Sequence, residues 1–218
     1  MYNCIGLLGG LGVGAAVHYY EALAKEHDKR GRTMRLLMVH AEAKRILAFA
    51  GAGQSLEMAE YLAGMIGQLK AGGADCAVLP AVTPHYCIRD LLRISPLPLI
   101  DLLEAARRAT ADRRVALFGS RYSMESNLFG AVPAVPPLPD EVTEIDRTYV
   151  RIALSGVATA QDHARLTEIA GTLIAREKLD AIVFAGTDLA MLFDAGNTTF
   201  PYVDCAALHI DAIMSAVS

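Results

Sequence analysis

The chain repeats itself at an offset of roughly 103 to 110 residues, and this repeat constrains the fold more than any other feature of the sequence. Three segments of the first half reappear in the same order in the second half, with 4–10 matched by 114–120, 74–83 by 179–188, and 98–101 by 201–204. Three ordered matches indicate a duplicated unit. A chain of 218 residues has room for two such units, and its length allows a core to form without disulfide or metal staples.

Each unit has the pattern of strands that alternate with helices. Short, nearly continuous apolar runs are typical of parallel strands covered on both faces, and longer segments with a period of 3.6 separate them. The predicted strands are 4–9, 35–40, 75–80, 98–101, 114–118, 132–136, 180–185 and 201–204. Prolines crowd the region from 133 to 139, which predicts that the second strand of the second unit is short and lies at a sheet edge.

This alternation predicts an α/β protein with two pseudosymmetric, Rossmann-like domains, each built on a parallel sheet with right-handed crossovers. We expect residues 1–100 to form the first domain, with the C-terminal helix 205–218 packed back on it, and residues 101–204 to form the second. Ligands of such sheets bind beyond the carboxyl ends of the strands. The cleft between the domains is therefore the predicted site.

Composition argues against several classes of partner and chemistry. The net charge is -4 and the 20 Lys and Arg residues are scattered among 24 acidic ones, so nucleic acid is not expected as a partner. Charges interrupt the apolar stretches before the ~20 residues that a membrane span needs, and no basic leader precedes the first of them, so we expect a cytoplasmic protein without membrane contact. The 4 cysteines lack paired spacing, which favours reduced thiols over a disulfide frame or metal site.

The segment Gly9-Gly10-Leu11-Gly12 follows the first strand and opens a helix. Bare backbone N–H groups and a helix N-terminus attract an anion there, such as a carboxylate or phosphate. Gly10, Gly12 and Ala15 also satisfy a loose dinucleotide fingerprint, but the acid it needs should lie about 20 residues on, and Glu42 follows about 30 residues on. A third interpretation is that the glycines serve only the tight turn.

Four motifs in order carry a resemblance to a known family. They are the segments 6–12, 80–85, 119–124 and 186–189, which read GLLGGLG, PAVTPH, GSRYSM and GTDL. Together they resemble the aspartate/glutamate racemase superfamily, and the resemblance covers essentially the whole chain. It implies two pseudosymmetric α/β domains that bind a small carboxylate or amino acid between them and move a proton without a cofactor. It also implies a homodimer, although no apolar stripe in the sequence requires one.

The two cysteine positions of the family are where this sequence departs from it. Racemases of the superfamily use one thiol in a motif like P-C-N-T-x-H and one in a motif like G-C-T-E-L, on opposite faces of the substrate carbon. Here the first position carries Ala81 and the second carries Gly186, so both thiols are missing. A methyl group and a hydrogen atom cannot ionise, and each positioned acid or base supplies about 10²–10⁴ in rate. The two-thiol mechanism therefore does not apply.

The anion-binding part of the family's site is retained. By the resemblance, loop amides and hydroxyls hold the substrate carboxylates, because they donate hydrogen bonds to a carboxylate while standing clear of the reacting carbon. The residues at these positions are Gly9, Gly10, Thr83, Ser120, Ser123 and Thr187. The four hydroxyl side chains also suit helix caps after their strands, and that interpretation stays open.

His85 and Asp188 follow the two vacated positions, one in each unit. A carboxylate and an imidazole can serve as base and acid, so we predict that this pair carries the proton transfer. The alternative is that both residues stabilise the first turns of their own helices. Cys205 and His209 stand at i and i+4 of one helix, as an activated thiol or as simple core residues. Two further ionisable candidates near the cleft are Glu42 and Arg121.

These observations predict an enzyme of the isomerase or lyase type that moves a proton on a small carboxylate or amino acid without paired thiols. One-sided chemistry such as elimination, decarboxylation or hydrolysis fits as well, because it needs no matched base on each face. The alternatives are a carboxylate-binding protein without catalysis and, less favoured, a nicotinamide-dependent oxidoreductase. For the favoured function we expect no cofactor, pyridoxal phosphate included, and no metal.

Overall fold

A computed structural model describes residues 1–129 and 134–217, in which two parallel sheets form the framework. The strands are β1 (Ile5–Gly9), β2 (Leu36–His40), β3 (Cys76–Val78), β4 (Leu99–Ile100), β5 (Val115–Phe118), β6 (Ala181–Phe184) and β7 (Tyr202–Asp204). The α-helices are α1 (Val13–Lys29), α2 (Ala43–Gly51), α3 (Ser55–Ala71), α4 (Ile88–Ile94), α5 (Leu102–Ala109), α6 (Arg121–Glu125), α7 (Pro139–Ser155), α8 (Ala160–Glu177) and α9 (Cys205–Ala216). Short 3-10 helices span Thr83–Cys87, Asn127–Phe129 and Thr187–Met191.

The two sheets repeat one topology. The first has the strand order β2-β1-β3-β4 and the second has the order β5-β6-β7. Every pairing within them is parallel. The order β1-β3-β4 thus recurs as β5-β6-β7, and these strands come from the segments that match in the sequence repeat. The predicted α/β class with pseudosymmetric parallel sheets is confirmed. We call the first sheet with its covering helices the first lobe and the second sheet with its helices the second lobe.

The two lobes differ at one sheet edge. β2 pairs with β1 along five residues, whereas the equivalent place beside β5 holds a single parallel bridge between Val115 and Ala134. The backbone N–H of Val135 donates to the Val115 carbonyl there at 2.7 Å. Residues 132 and 133 of the strand predicted over 132–136 lie outside the described part of the chain, and its described residues 134–136 form one bridge, at Ala134. Proline lacks a backbone donor, which explains why pairing does not extend.

Two strands of each sheet are covered on both faces. β1, β3, β5 and β6 are buried along their whole length, as their continuous apolar sequences predict. In the second lobe, the ring of Phe184 stacks on Phe193 with ring centroids 5.1 Å apart. Burying a side chain of this size stabilises the fold by roughly 1.5–3 kcal/mol.

Helix α9 ties the chain's end back to its beginning. It follows β7 of the second sheet, yet Ile210 and Ile213 of α9 pack in one buried cluster with Ile5 and Leu7 of β1. The domain boundary near residue 100 stays a prediction. Within residues 1–129 and 134–217, each helix is too short or too polar to cross a membrane.

Candidate active site between the two sheets

Segments that follow the carboxyl ends of β1, β3 and β6 meet in the interior between the lobes. The Thr187 hydroxyl donates to the Pro80 carbonyl at 2.8 Å, and the backbone N–H of Ala15 donates to Asp188 Oδ1 at 2.9 Å. Both hydrogen bonds are buried. Val82 of the first lobe also packs into the apolar core around the second sheet. The structure therefore brings together the glycine segment, the PAVTPH segment and the GTDL segment.

The two positions at which the sequence motifs predict the family's cysteines, Ala81 and Gly186, are both buried, and the space beside Gly186 is filled. Ala81 is 4% exposed. A Cβ added to Gly186 would lie 2.6 Å from Cζ of Tyr149 and closer still to Cε2 of that ring. Tyr149 comes from α7 and is 8% exposed. Its ring fills the space into which a side chain at position 186 would extend.

Asp188 belongs to the 3-10 helix Thr187–Met191, and its buried carboxyl lies against the first turn of α1. It is 1% exposed, and besides the N–H of Ala15 its Oδ2 lies 3.4 Å from the hydroxyl of Tyr149, which donates to it. Burial raises the pKa of the Asp188 carboxyl, and the hydrogen bonds from Ala15 and Tyr149 offset part of that rise. A carboxyl whose pKa is raised in this way is better matched to proton transfer near neutral pH than an exposed one.

The glycines of the first loop are required by a turn and by the approach of Asp188. Gly10 has a φ of 80°, the left-handed region that glycine adopts without strain. A Cβ added to Gly12 would lie 2.5 Å from Asp188 Oδ2. The carboxylate of Asp188 therefore occupies the N-terminus of α1, where the sequence predicts a bound anion. The predicted anion binders Gly9 and Gly10 are buried in the same loop.

His85 is buried in the 3-10 helix that follows Ala81. Its Nδ1 lies 2.9 Å from the Ala81 carbonyl and donates to it, which leaves Nε2 as an acceptor on the neutral ring. Burial lowers the pKa of His85, and the nearby Asp101 carboxylate, 3.9 Å from Nε2, counters part of that shift. Among the described hydrogen bonds and ion pairs, none joins His85 directly to Asp188.

The predicted hydroxyl groups have protein partners. Ser120 Oγ accepts from the N–H of Ser123 and lies 3.0 Å from its hydroxyl, so Ser120 caps α6. Thr187 donates across the lobes to Pro80. Thr83 is partly exposed at the start of its 3-10 helix. Three of the four hydroxyls are therefore engaged within the protein.

Cys205 and His209 lie in the core at the start of α9. The Tyr19 hydroxyl donates to His209 Nδ1 at 3.0 Å, and His209 Nε2 donates to the Ile100 carbonyl at 2.8 Å. Burial raises the pKa of the Cys205 thiol well above its usual range and lowers the pKa of His209 to about 3. The pair is therefore a neutral thiol and a neutral imidazole in this fold, which is the environment of core residues rather than of a thiolate nucleophile.

The two remaining candidates lie at the surface. Arg121 pairs with Glu125 at 2.8 Å on α6, and the backbone N–H of Glu42 donates to the Tyr61 hydroxyl at 3.0 Å. Within residues 1–129 and 134–217, no group of three or more His, Cys, Asp and Glu side chains is arranged to hold a metal ion.

Sequence reasoning missed two residues of this site. Tyr149 was not singled out because it stands among the buried apolar positions of α7, where an aromatic residue predicts only core packing. Asp101 did carry a signal, since the repeat matches it to Asp204 and both carboxylates cap the helix that follows. The carboxylate of Asp101 faces the imidazole of His85, and only the fold reveals that approach.

Two lobes with parallel sheets, whose loops at the carboxyl ends of the strands meet around a buried acid, define the class of α/β proteins built from two pseudosymmetric halves. More particularly, the chain belongs to the Asp/Glu/Hydantoin racemase family, whose model matches residues 8–213.

Solved structures of other proteins have the same fold. A proposed Asp/Glu racemase from Yersinia pestis matches with a TM-score of 0.81 at 19% identity, covering 98% of each chain. An aspartate racemase homologue from Pyrococcus horikoshii OT3 matches with a TM-score of 0.78 at 17% identity, again over 98% of each chain. Glutamate racemase from Francisella tularensis, in complex with D-glutamate, matches with a TM-score of 0.65 at 10% identity over 98% of this chain and 80% of that one.

Proposed function

We propose that this protein is an enzyme of the isomerase or lyase type that moves a proton on a small carboxylate or amino acid, without paired cysteines and without a cofactor. The observation that carries the proposal is the Asp188 carboxyl. It lies two residues after the vacated position Gly186, it is buried between the lobes, and its pKa is raised by burial. A group of this kind can take or give a proton close to neutral pH.

His85 is the second group of the proposed mechanism. It comes from the first lobe, whereas Asp188 comes from the second, so the two approach a ligand between the lobes from different sides. The neutral imidazole keeps an acceptor at Nε2, because Nδ1 is held by the Ala81 carbonyl. One carboxyl and one imidazole are chemically unlike, and this favours a one-sided reaction such as elimination or decarboxylation over the symmetric exchange that two thiols allow.

Substrate entry requires the lobes to separate. Ser120, Ser123, Thr187 and Asp188 are all buried, and the hydrogen bonds from Thr187 to Pro80 and from Ala15 to Asp188 join the lobes directly. On opening, the N–H of Ala15 and the Thr187 hydroxyl lose these partners. We propose that a substrate carboxylate then takes them up, together with Gly9, Gly10, Thr83, Ser120 and Ser123. Such opening and closing is common in enzymes whose sites lie between domains.

The names of the relatives support a proposal for the substrate class. The Francisella tularensis relative is described in complex with D-glutamate, and the family's name refers to aspartate, glutamate and hydantoins. We therefore propose a small amino acid or a related carboxylate as the substrate.

Incubation in heavy water tests the proposal. The purified protein is mixed with a panel of amino acids, dicarboxylic acids and hydantoins in D₂O, and proton and carbon NMR spectra are recorded. Deuterium at the α-carbon or a new product that depends on the protein supports it. The matched control is Asp188→Asn, which keeps the shape of the side chain and its contact with Ala15 but removes the carboxylate. Equal incorporation by both proteins would contradict the role of Asp188.

A second candidate function is a carboxylate-binding protein that has lost chemistry. The specific observation in its favour is the ring of Tyr149, which leaves no room for any side chain at position 186. This candidate predicts a raised melting temperature with a carboxylate and no exchange or product. The nicotinamide alternative has the weakest support, because the N–H of Ala15 is held by Asp188 and the loop glycines Gly9, Gly10 and Gly12 are buried.

A further inference from the structure

A cavity of about 380 Å³ lies between α4 of the first lobe and α6 of the second. Its walls include Tyr86, Ile88 and Arg89 from the first lobe, and Tyr122, Ser126 and Leu128 from the second. We call it the Arg89 pocket. Ligand pockets commonly have volumes of about 300–1,000 Å³, so the Arg89 pocket is large enough for a small molecule.

Arg89 is the charged group of this pocket, and it has no partner. Its side chain is exposed, and it forms no hydrogen bond or ion pair within the part of the chain that the structure describes. Some surface arginines are paired, as Arg121 is with Glu125 and Arg176 is with Glu141, whereas Arg93 on the same helix is exposed like Arg89 but lies outside the described lining of the pocket. A guanidinium presents a planar fork of donors that matches a carboxylate in two hydrogen bonds.

The rest of the lining is suited to the apolar body of such a ligand. Tyr86 and Tyr122 meet edge to face across the two lobes, with ring centroids 5.4 Å apart and planes at 88°. Ile88 and Leu128 add aliphatic surface. The Ser126 hydroxyl lines the pocket beside the Tyr122 hydroxyl and adds a polar group that a ligand can contact.

We infer that the Arg89 pocket binds a small carboxylate with an aromatic or branched apolar body, the carboxylate on Arg89 and the body against Tyr86 and Tyr122. The pocket is lined by residues from both lobes, so its occupant holds them in one relative position. No residue of the glycine segment or of the GTDL segment belongs to its described lining.

The link between this pocket and catalysis rests on the proposed function, whereas the binding of a carboxylate to the pocket does not. His85 also lines the pocket, and the Nδ1 atom of His85 is bonded to the carbonyl of Ala81. A ligand in the pocket therefore lies beside the imidazole to which we assign a proton transfer but not beside Asp188, so we place the pocket as a carboxylate subsite next to the proposed reaction centre. Binding itself requires no turnover, so it can be measured separately.

The experiment is calorimetric titration of the full chain with phenylacetate, and with phenylacetamide as the uncharged isostere. Phenylacetate is expected to bind, and phenylacetamide to bind at least about tenfold more weakly, because it cannot form the charged pair with Arg89. Arg89→Gln should weaken phenylacetate binding about ten- to hundredfold and leave phenylacetamide binding nearly unchanged. Absence of phenylacetate binding, or equal affinity of wild type and Arg89→Gln, would overturn the inference.

Arg93 offers a matched control on the same helix. It is exposed on α4 one turn after Arg89 and does not belong to the described lining, so Arg93→Gln makes the same change of charge and should keep wild-type affinity. Equal weakening by Arg93→Gln would show a general charge effect and overturn the inference. If phenylacetate binds but no substrate shows deuterium exchange, the proposed function is contradicted and the inference about the Arg89 pocket is supported. If phenylacetate does not bind and the Arg89→Gln variant shows the same deuterium exchange as wild type, the pocket inference is overturned and the proposed function stands.

Discussion

The ring of Tyr149 occupies the space that a side chain at Gly186 would need. The ring of Tyr149, which α7 contributes, lies 2.6 Å at Cζ from the point where a Cβ of residue 186 would stand. The space that a side chain at residue 186 would need is therefore part of the core of the second lobe. The same ring donates its hydroxyl to Asp188 and so links the filled position to the buried acid.

Gly186→Ala should destabilise the protein by roughly 1–3 kcal/mol, because the added methyl group meets a buried ring that cannot move without breaking its packing. Gly171→Ala on α8 is the matched control: nothing lies within 4 Å of its added Cβ, and alanine there should stabilise by roughly 0.5–1 kcal/mol. Urea unfolding monitored by circular dichroism gives both values. In a Tyr149→Ala background the cost of Gly186→Ala should vanish; a cost that persists there contradicts the packing argument.

Thr187→Val should cost roughly 1–3 kcal/mol, because valine keeps the volume but leaves the buried Pro80 carbonyl without its donor. The bond joins the lobes, so the variant should also open more readily and exchange the amide protons near Pro80 faster. Thr172→Val on the exposed face of α8 makes the same chemical change and should stay within about 0.5 kcal/mol of wild type. Hydrogen exchange measured by mass spectrometry compares the three proteins. Equal protection near Pro80 in all of them would count against the interlobe bond.

Asp188→Asn and His85→Gln should each lower turnover at least about tenfold while the protein stays folded, because each removes a group that we assign to proton transfer. Turnover is measured as deuterium incorporation on whichever substrate of the panel responds. Asp112→Asn is a suitable control, since Asp112 has a φ of 62° that asparagine also tolerates. If both variants retained full activity, the assignment of roles would be wrong.

Buried His209 should make the protein less stable in acid. Its pKa falls from the ordinary 6.5 to about 3 in the fold, so the unfolded chain binds more protons between these values and stability is lost as the pH drops through that window. One such group contributes at most about 1.4 kcal/mol per pH unit. His209→Gln, which can still bond to Tyr19 and Ile100, should flatten this slope in urea unfolding from pH 7 to pH 4. Identical slopes in wild type and His209→Gln would refute the prediction.

The sequence repeat was sufficient to predict the sheets. Matched segments became β1 and β5, β3 and β6, and β4 and β7, since the hydrophobic pattern of a buried strand is local and survives in each copy. It also predicted which loops converge, because parallel strands deliver their carboxyl ends to one edge. Thr187 and Pro80, 107 positions apart in the chain, meet as that rule requires.

Side-chain partners across the lobes were beyond this reasoning. Asp188 fits a first-turn acid on its own helix, yet its carboxylate bonds to Ala15 at the start of α1, 173 positions away. Tyr149 reads as one more core residue of α7, and nothing in its spacing indicates which atoms it approaches. Such contacts depend on how two finished lobes dock, and a pattern within one segment carries no information about docking.

Because the side chain of Asp188 accepts the hydrogen bond from the Ala15 amide, a carboxylate ligand must compete with Asp188 for that amide. Asp188 is held next to that amide by the chain itself, so its effective concentration is high, and a ligand must displace it before it gains a hydrogen bond. Measured affinity is then the intrinsic affinity reduced by the fraction of molecules whose amide is vacant. Weak dissociation constants at this helix terminus would therefore report the exchange of one carboxylate for another rather than poor recognition.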